Sequence, residues 1–98
     1  MALQGSAALR WQALDIIRRM GRDGADALPA CTKALEDRTW YVRREAVRAL
    51  IAIAPRDAEV IRVFRTRVAE DAEWTVREEA FDALVSWNAA GDLKVRPY

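Results

Sequence analysis

Apolar positions fall at helical spacing along most of the chain. Val42, Ala46, Ala49, Leu50 and Ile53 sit at i, i+4, i+7, i+8 and i+11, one face of a helix over 40–53. Val76, Ala80, Ala83, Leu84 and Trp87 repeat that spacing and predict a helix over 74–88. A more divergent third set, Leu9, Ala13, Ile16, Ile17 and Met20, predicts a helix over 6–20. Between them, Leu28, Cys31, Ala34 and Leu35 mark a helix over 25–36, and Val60, Ile61, Phe64 and Val68 mark one over 57–70. The breakers "GRDG" at 21–24 and "APRD" at 54–57 separate these segments, with Asp57 placed to cap the helix that follows. Residues 89–98 read as a short polar tail.

The pattern is a repeat. "ALEDRTWYVRREAVRAL" at 34–50 and "VAEDAEWTVREEAFDAL" at 68–84 agree at nine of seventeen positions, and the first helix aligns with an offset of 33. A helical unit of 33–34 residues cannot bury its apolar face alone, so copies must stack. The expected fold is all-α, a short right-handed α-solenoid in one domain: a half repeat at 6–20, repeats at 25–53 and 57–88, then the tail.

Asp37, Trp40, Val42, Arg43, Ala46, Ala49 and Leu50, and again Asp71, Trp74, Val76, Arg77, Ala80, Ala83 and Leu84, carry a recognisable signature. It resembles the HEAT repeat of the phycobilisome-lyase-like subclass, whose pattern ends in D-x-x-W-x-V-R-x-x-A-x-x-A-L. Gln4 stands where the first repeat's aspartate belongs. The resemblance implies that Asp37 and Asp71 organise the helix starts, and that Arg10, Arg43 and Arg77 ladder between repeats with those carboxylates. Trp40 and Trp74 then read as packing residues. It also implies that the helices at 6–20, 40–53 and 74–88 are the inner ones of each pair.

At 100° per residue, the sides opposite the apolar stripes carry Trp11, Leu14, Asp15 and Arg18; Arg44, Val47, Arg48 and Ile51; and Glu78, Phe81, Asp82 and Val85. Leu14, Val47 and Phe81 are expected to form an apolar row on an open face, joined by Trp11, Ile51 and Val85. Asp15, Arg48 and Asp82 form a row alternating in sign, read as an inter-helix ladder. A contiguous apolar stripe on a small domain marks an interface, so these residues are the candidate binding surface, with Arg44, Arg48 and Glu78 setting register.

Composition removes other classes. The 98 residues carry a net charge of +1, so no global field favours nucleic acid or an anionic membrane. Residues 1–50 hold nine Lys/Arg against six Asp/Glu, and the second half seven against nine, a mild polarity only. No stretch reaches the roughly 20 apolar residues of a membrane span, and "MALQGSAALR" lacks a signal-peptide pattern. The single cysteine, Cys31, excludes an internal disulfide and suits a reducing cytoplasm. No histidine, metal-ligand cluster or phosphate loop is present, and the serines, Ser6 and Ser86, lie in no nucleophile setting. No catalytic residue, metal or cofactor is expected.

The reading is a non-catalytic protein-interaction scaffold for an unidentified protein or peptide. The alternatives are a self-associating homodimer or a piece of a longer armadillo-like array, because the solenoid ends lack polar caps. DNA alkylation-repair glycosylases share HEAT-like repeats and a Trp and Asp one turn apart, as Trp11 and Asp15 are. That kinship is a minor alternative, since Glu78 and Asp82 stand where phosphate contacts would be needed.

Overall fold

The computed structural model describes residues 5–91 and residue 93, so Gln4 and most of the terminal segment fall outside the described residues. Five α-helices follow in order: α1 (Ala7–Met20), α2 (Leu28–Ala34), α3 (Trp40–Ile53), α4 (Ala58–Glu70) and α5 (Trp74–Ser86). The architecture is a short helical solenoid. α1, α3 and α5 lie side by side as one layer, α2 backs α3, and α4 backs α5. The whole measures 35 × 27 × 16 Å.

Local chemistry sets the starts. Ser6 accepts the Leu9 amide at 3.2 Å, and Asp57 accepts the amides of Glu59 and Val60 at 2.9 and 3.3 Å. Proline stands at the first turn of α2, where its missing donor costs nothing.

Two segments differ from the periodicity. The expected break at 21–24 and helix from 25 are instead a 3-10 helix (Gly21–Ala27) running into a shorter α2. Gly21, at φ 58°, ends α1. Gly24 is buried so tightly that a Cβ there would stand 3.0 Å from Ile53 Cγ2 and 3.2 Å from the Ile17 carbonyl oxygen, so a side chain has no room at this position. The expected polar tail begins as a packed strap. Trp87 stacks on Phe64 with centroids 5.8 Å apart and planes 12° apart, and Ala89, Ala90 and Leu93 lie against the core. Arg65 donates to the Ala89 and Ala90 carbonyls at 3.0 and 3.1 Å.

The core runs through the seam between the layers: Ile17, Cys31, Leu35, Val42, Ala46, Leu50, Val60, Phe64, Val76, Ala80 and Leu84 among others. The stripe read for α1 needs correction. Leu9, Ile16 and Met20 are exposed, whereas Leu14 and Ile17 are sealed. In α3 and α5 the matching stripe meets a backing helix, but among the described residues no helix backs α1. Its buried side is therefore the one turned towards α3 and the 3-10 segment.

Charged groups lock the layers in register. Arg10 of α1 grips Asp37 through Nε at 2.7 Å and Nη2 at 3.1 Å. Arg43 of α3 grips Asp71 through both nitrogens at 2.9 Å. Each aspartate also receives an amide two residues ahead, Thr39 at 2.9 Å and Glu73 at 3.0 Å, and so shapes the turn into the next inner helix. Arg43 and Arg77 reach back to the carbonyls of Asp37 and Asp71, both at 2.8 Å. Burial pushes the Asp37 carboxyl up. The Arg10 hydrogen bonds, the Thr39 amide and the charges of Arg10 and Arg38 outweigh that and hold it below the usual carboxylate range.

Two stability predictions follow from this packing. Leu14→Ala is expected to cost roughly 2–5 kcal/mol in chemical denaturation, and Leu9→Ala no more than about 0.5 kcal/mol at low micromolar protein; equal costs would contradict the assigned burial. Because Asp37 is more acidic folded than unfolded, its contribution is complete above the unfolded value and fades as pH falls through the folded one. Asp37→Asn should therefore lose about 1–3 kcal/mol at pH 7 and show a shallower decline in stability between pH 5 and pH 3 than the parent.

Candidate functional site

The inner helices are packed on more than one side, α3 on three and α1 and α5 on two, and this redraws the candidate face. Leu14 and Val47 have no exposed surface and belong to the core, so the apolar row expected on an open face is not there. A wheel with a single buried side places them outward. In the stack, α1 lies against α3 and α3 against α5, and those neighbours cover them. Phe81 and Ile51 are half-buried against the core, and Val85 is 53 % exposed.

The alternating row Asp15, Arg48 and Asp82 is also rearranged. Asp15 holds Arg18 and Arg19 of its own helix. Arg48 reaches Glu79 of α5 through two bonds of 2.7 Å, while Asp82 faces solvent beside exposed Glu78. The inter-helix link on the other side is made by Arg18, whose Nε donates to Glu45 at 2.7 Å. Glu45 is 1 % exposed and also lies 3.9 Å from Arg48. Glu45 and Glu79 occupy the same place in successive repeats, one position before the conserved-spacing alanine, and that recurrence was the signal available in the sequence. The Glu79 hydrogen bonds hold Arg48 more firmly protonated than a free arginine.

What remains open is a patch at the amino-terminal ends of α1 and α3. Ala8, Trp11, Gln12, Tyr41 and Arg44 line a shallow cavity of about 300 Å³. The Arg44 guanidinium carbon lies 5.0 Å above the centre of the Trp40 ring, a cation–π arrangement. Trp40 in turn meets Tyr41 edge-on, with centroids 5.9 Å apart. Trp40 and Trp74 are therefore not core residues: they are 39 % and 36 % exposed. They stand in the first turn of their helices, ahead of the positions that the backing helices cover.

Arg44 differs from its neighbours. Arg10, Arg18, Arg43 and Arg48 each hold a carboxylate. Arg44 makes no ion pair among the described residues, and its buried Nε has no hydrogen-bond acceptor. Trp11 and Arg44 were readable as surface positions from the repeat. Tyr41 was not singled out, although it is the one aromatic at a position that Ala8 and Thr75 fill in the other copies.

Other chemistry is sparse. Cys31 is fully buried and unpaired, and burial pushes its thiol up to about 11, which makes it a poor nucleophile at neutral pH. Among the described residues no cluster of metal-ligating side chains occurs and no helix is long and apolar enough to cross a membrane.

Comparison with known proteins agrees with this architecture. The family described as HEAT repeats matches residues 2–85. Searches of curated proteins and of solved structures returned no match. With stacked helix pairs, a repeated Asp–Arg lock and a family match over most of its length, the chain belongs to the HEAT-repeat family.

Proposed function

We propose that this chain is a non-catalytic protein-interaction module that holds a peptide segment against the amino-terminal ends of α1 and α3. HEAT repeats commonly mediate protein–protein interaction, which supports the class. The observation that carries the site is Arg44, a half-buried cation with no carboxylate partner among the described residues, set between Trp40 and a cavity walled by Trp11 and Tyr41. A carboxylate brought to its guanidinium supplies the missing counter-charge in a partly desolvated place, where such a pair is worth more than at an open surface. An apolar side chain next to that carboxylate fits against the Trp11 and Tyr41 rings. The partner is thus a peptide carrying Asp or Glu beside a large apolar residue.

Ile51, Phe81 and Val85 extend the contact across α3 and α5 in this reading, while Glu78 and Asp82 discriminate against partners that are acidic at that end. Leu14 and Val47 take no part. The Asp–Trp–Arg signature supports placing the chain in the phycobilisome-lyase-like subclass, and the unpaired buried thiol of Cys31 fits a reducing cytoplasm. Nucleic acid finds less support, because Asp15 is engaged by Arg18 and Arg19 and α5 turns Glu78 and Asp82 to solvent.

A peptide array that varies acidic and apolar positions, read with the intact chain, tests this. The expected binders pair Asp or Glu with a large apolar residue. Trp11→Ala should weaken the best of them by about 2 kcal/mol, and Arg44→Glu should abolish binding with helical circular dichroism unchanged. Binders without acidic residues, or an undiminished affinity in Arg44→Glu, would refute it.

A further inference from the structure

Another exposed apolar feature lies elsewhere, on the flank of α1, and is independent of the inner-face reading. Leu9, Ile16 and Met20 are 56, 59 and 47 % exposed and share one side of the helix with Ala13. The same register in α3 is Val42, Ala46, Ala49 and Ile53, none more than 1 % exposed, and in α5 it is Val76, Ala80, Ala83 and Trp87. Those two stripes are covered from within the chain. Ile53 abuts the 3-10 segment at Gly24, and Trp87 stacks on Phe64 of α4. α4 and α5 are joined by residues 71–73 alone, so the covering helix runs antiparallel to the one it covers. The α1 stripe is a packing face of the same design, and among the described residues it has no such helix.

We propose that a second copy of this chain supplies that helix, α1 packing antiparallel on α1 about a two-fold axis. The spacing is self-complementary. An axis crossing the helix midway between Ala13 and Ile16 sets Leu9 opposite Met20 of the second copy and Ala13 opposite Ile16, so every member of the stripe meets another and the small residue faces the branched one. The stripe carries no charge. Arg19, held by Asp15 at 3.0 Å, and Arg22 lie towards the carboxyl end of α1, and the antiparallel arrangement carries the two copies' arginines to opposite ends instead of apposing them. One helix of 14 residues is about 21 Å long. A face that size is smaller than the roughly 800 Å² per partner of a standard interface. The dimer is therefore weak, dissociating between roughly 10 µM and 1 mM.

Sedimentation equilibrium of the 98-residue chain from about 5 µM to about 2 mM reads this directly. The mass is expected to rise from monomer towards twice that value, with Ile16→Glu shifting the midpoint at least about tenfold upwards while its circular dichroism stays that of the parent. Orientation is read by disulfide trapping, for which the sealed Cys31 is silent. An equimolar mixture of Leu9→Cys and Met20→Cys forms the mixed disulfide in preference to either homodimer. A chain that stays monomeric throughout, an Ile16→Glu variant that dimerises as the parent does, or homodisulfides in excess of the mixed product would each overturn the proposal.

Discussion

The buried carboxylate of Asp71 governs how the helices of this protein can be arranged. Its side chain has no exposed surface, and it receives Arg43 from α3, Arg67 from α4 and the Glu73 amide at the entrance to α5. A charge in such a place is tolerated only when several donors converge on it, so three helices are committed to one relative placement. Asp37 repeats the device a unit earlier with Arg10 and the Thr39 amide. The apolar seam supplies most of the stabilisation, but it is permissive about sliding. The bidentate locks are not, because planar guanidinium and carboxylate groups pair in few geometries.

Fixing α1, α3 and α5 side by side has consequences for every surface residue. The central helix, α3, loses one side to its backing helix and two more to its neighbours, leaving a narrow strip open. Leu14 and Val47 vanish into that packing, and even Glu45 is sealed, held by Arg18. Room for further contacts is left where the stack is incomplete: the first turns, where Trp11, Tyr41 and Arg44 surround a cavity, and the outer flank of α1, which no helix among the described residues backs. The two places differ in kind. One is a charge with aromatic walls, suited to a short polar–apolar determinant, and the other is a plain apolar stripe, suited to another helix.

The inner-face site was partly readable. Trp11 and Arg44 stood out because the repeat aligned them with a charged position on the side away from the stripe. Tyr41 escaped notice because a single aromatic at an otherwise small position carries no periodic signal. That Arg44 has no ion pair among the described residues was invisible, since a chain this rich in both signs offers many partners, and only geometry shows which arginines were taken.

Sequence alone determined the unit length and the bounds of α3, because these rest on local spacing, breakers and recurrence within 33–34 residues, and its resemblance to HEAT repeats implied the Asp–Arg locks. It also determined that α1 carries apolar residues on two sides, Leu9, Ala13, Ile16, Ile17 and Met20 on one and Leu14 on the other, though in the structure Ile17 is buried with Leu14. Only the tertiary structure decided which of them is hidden. Periodicity records that a face is able to be buried; whether it is depends on which helix arrives to cover it, and that is a property of the stack and not of the helix.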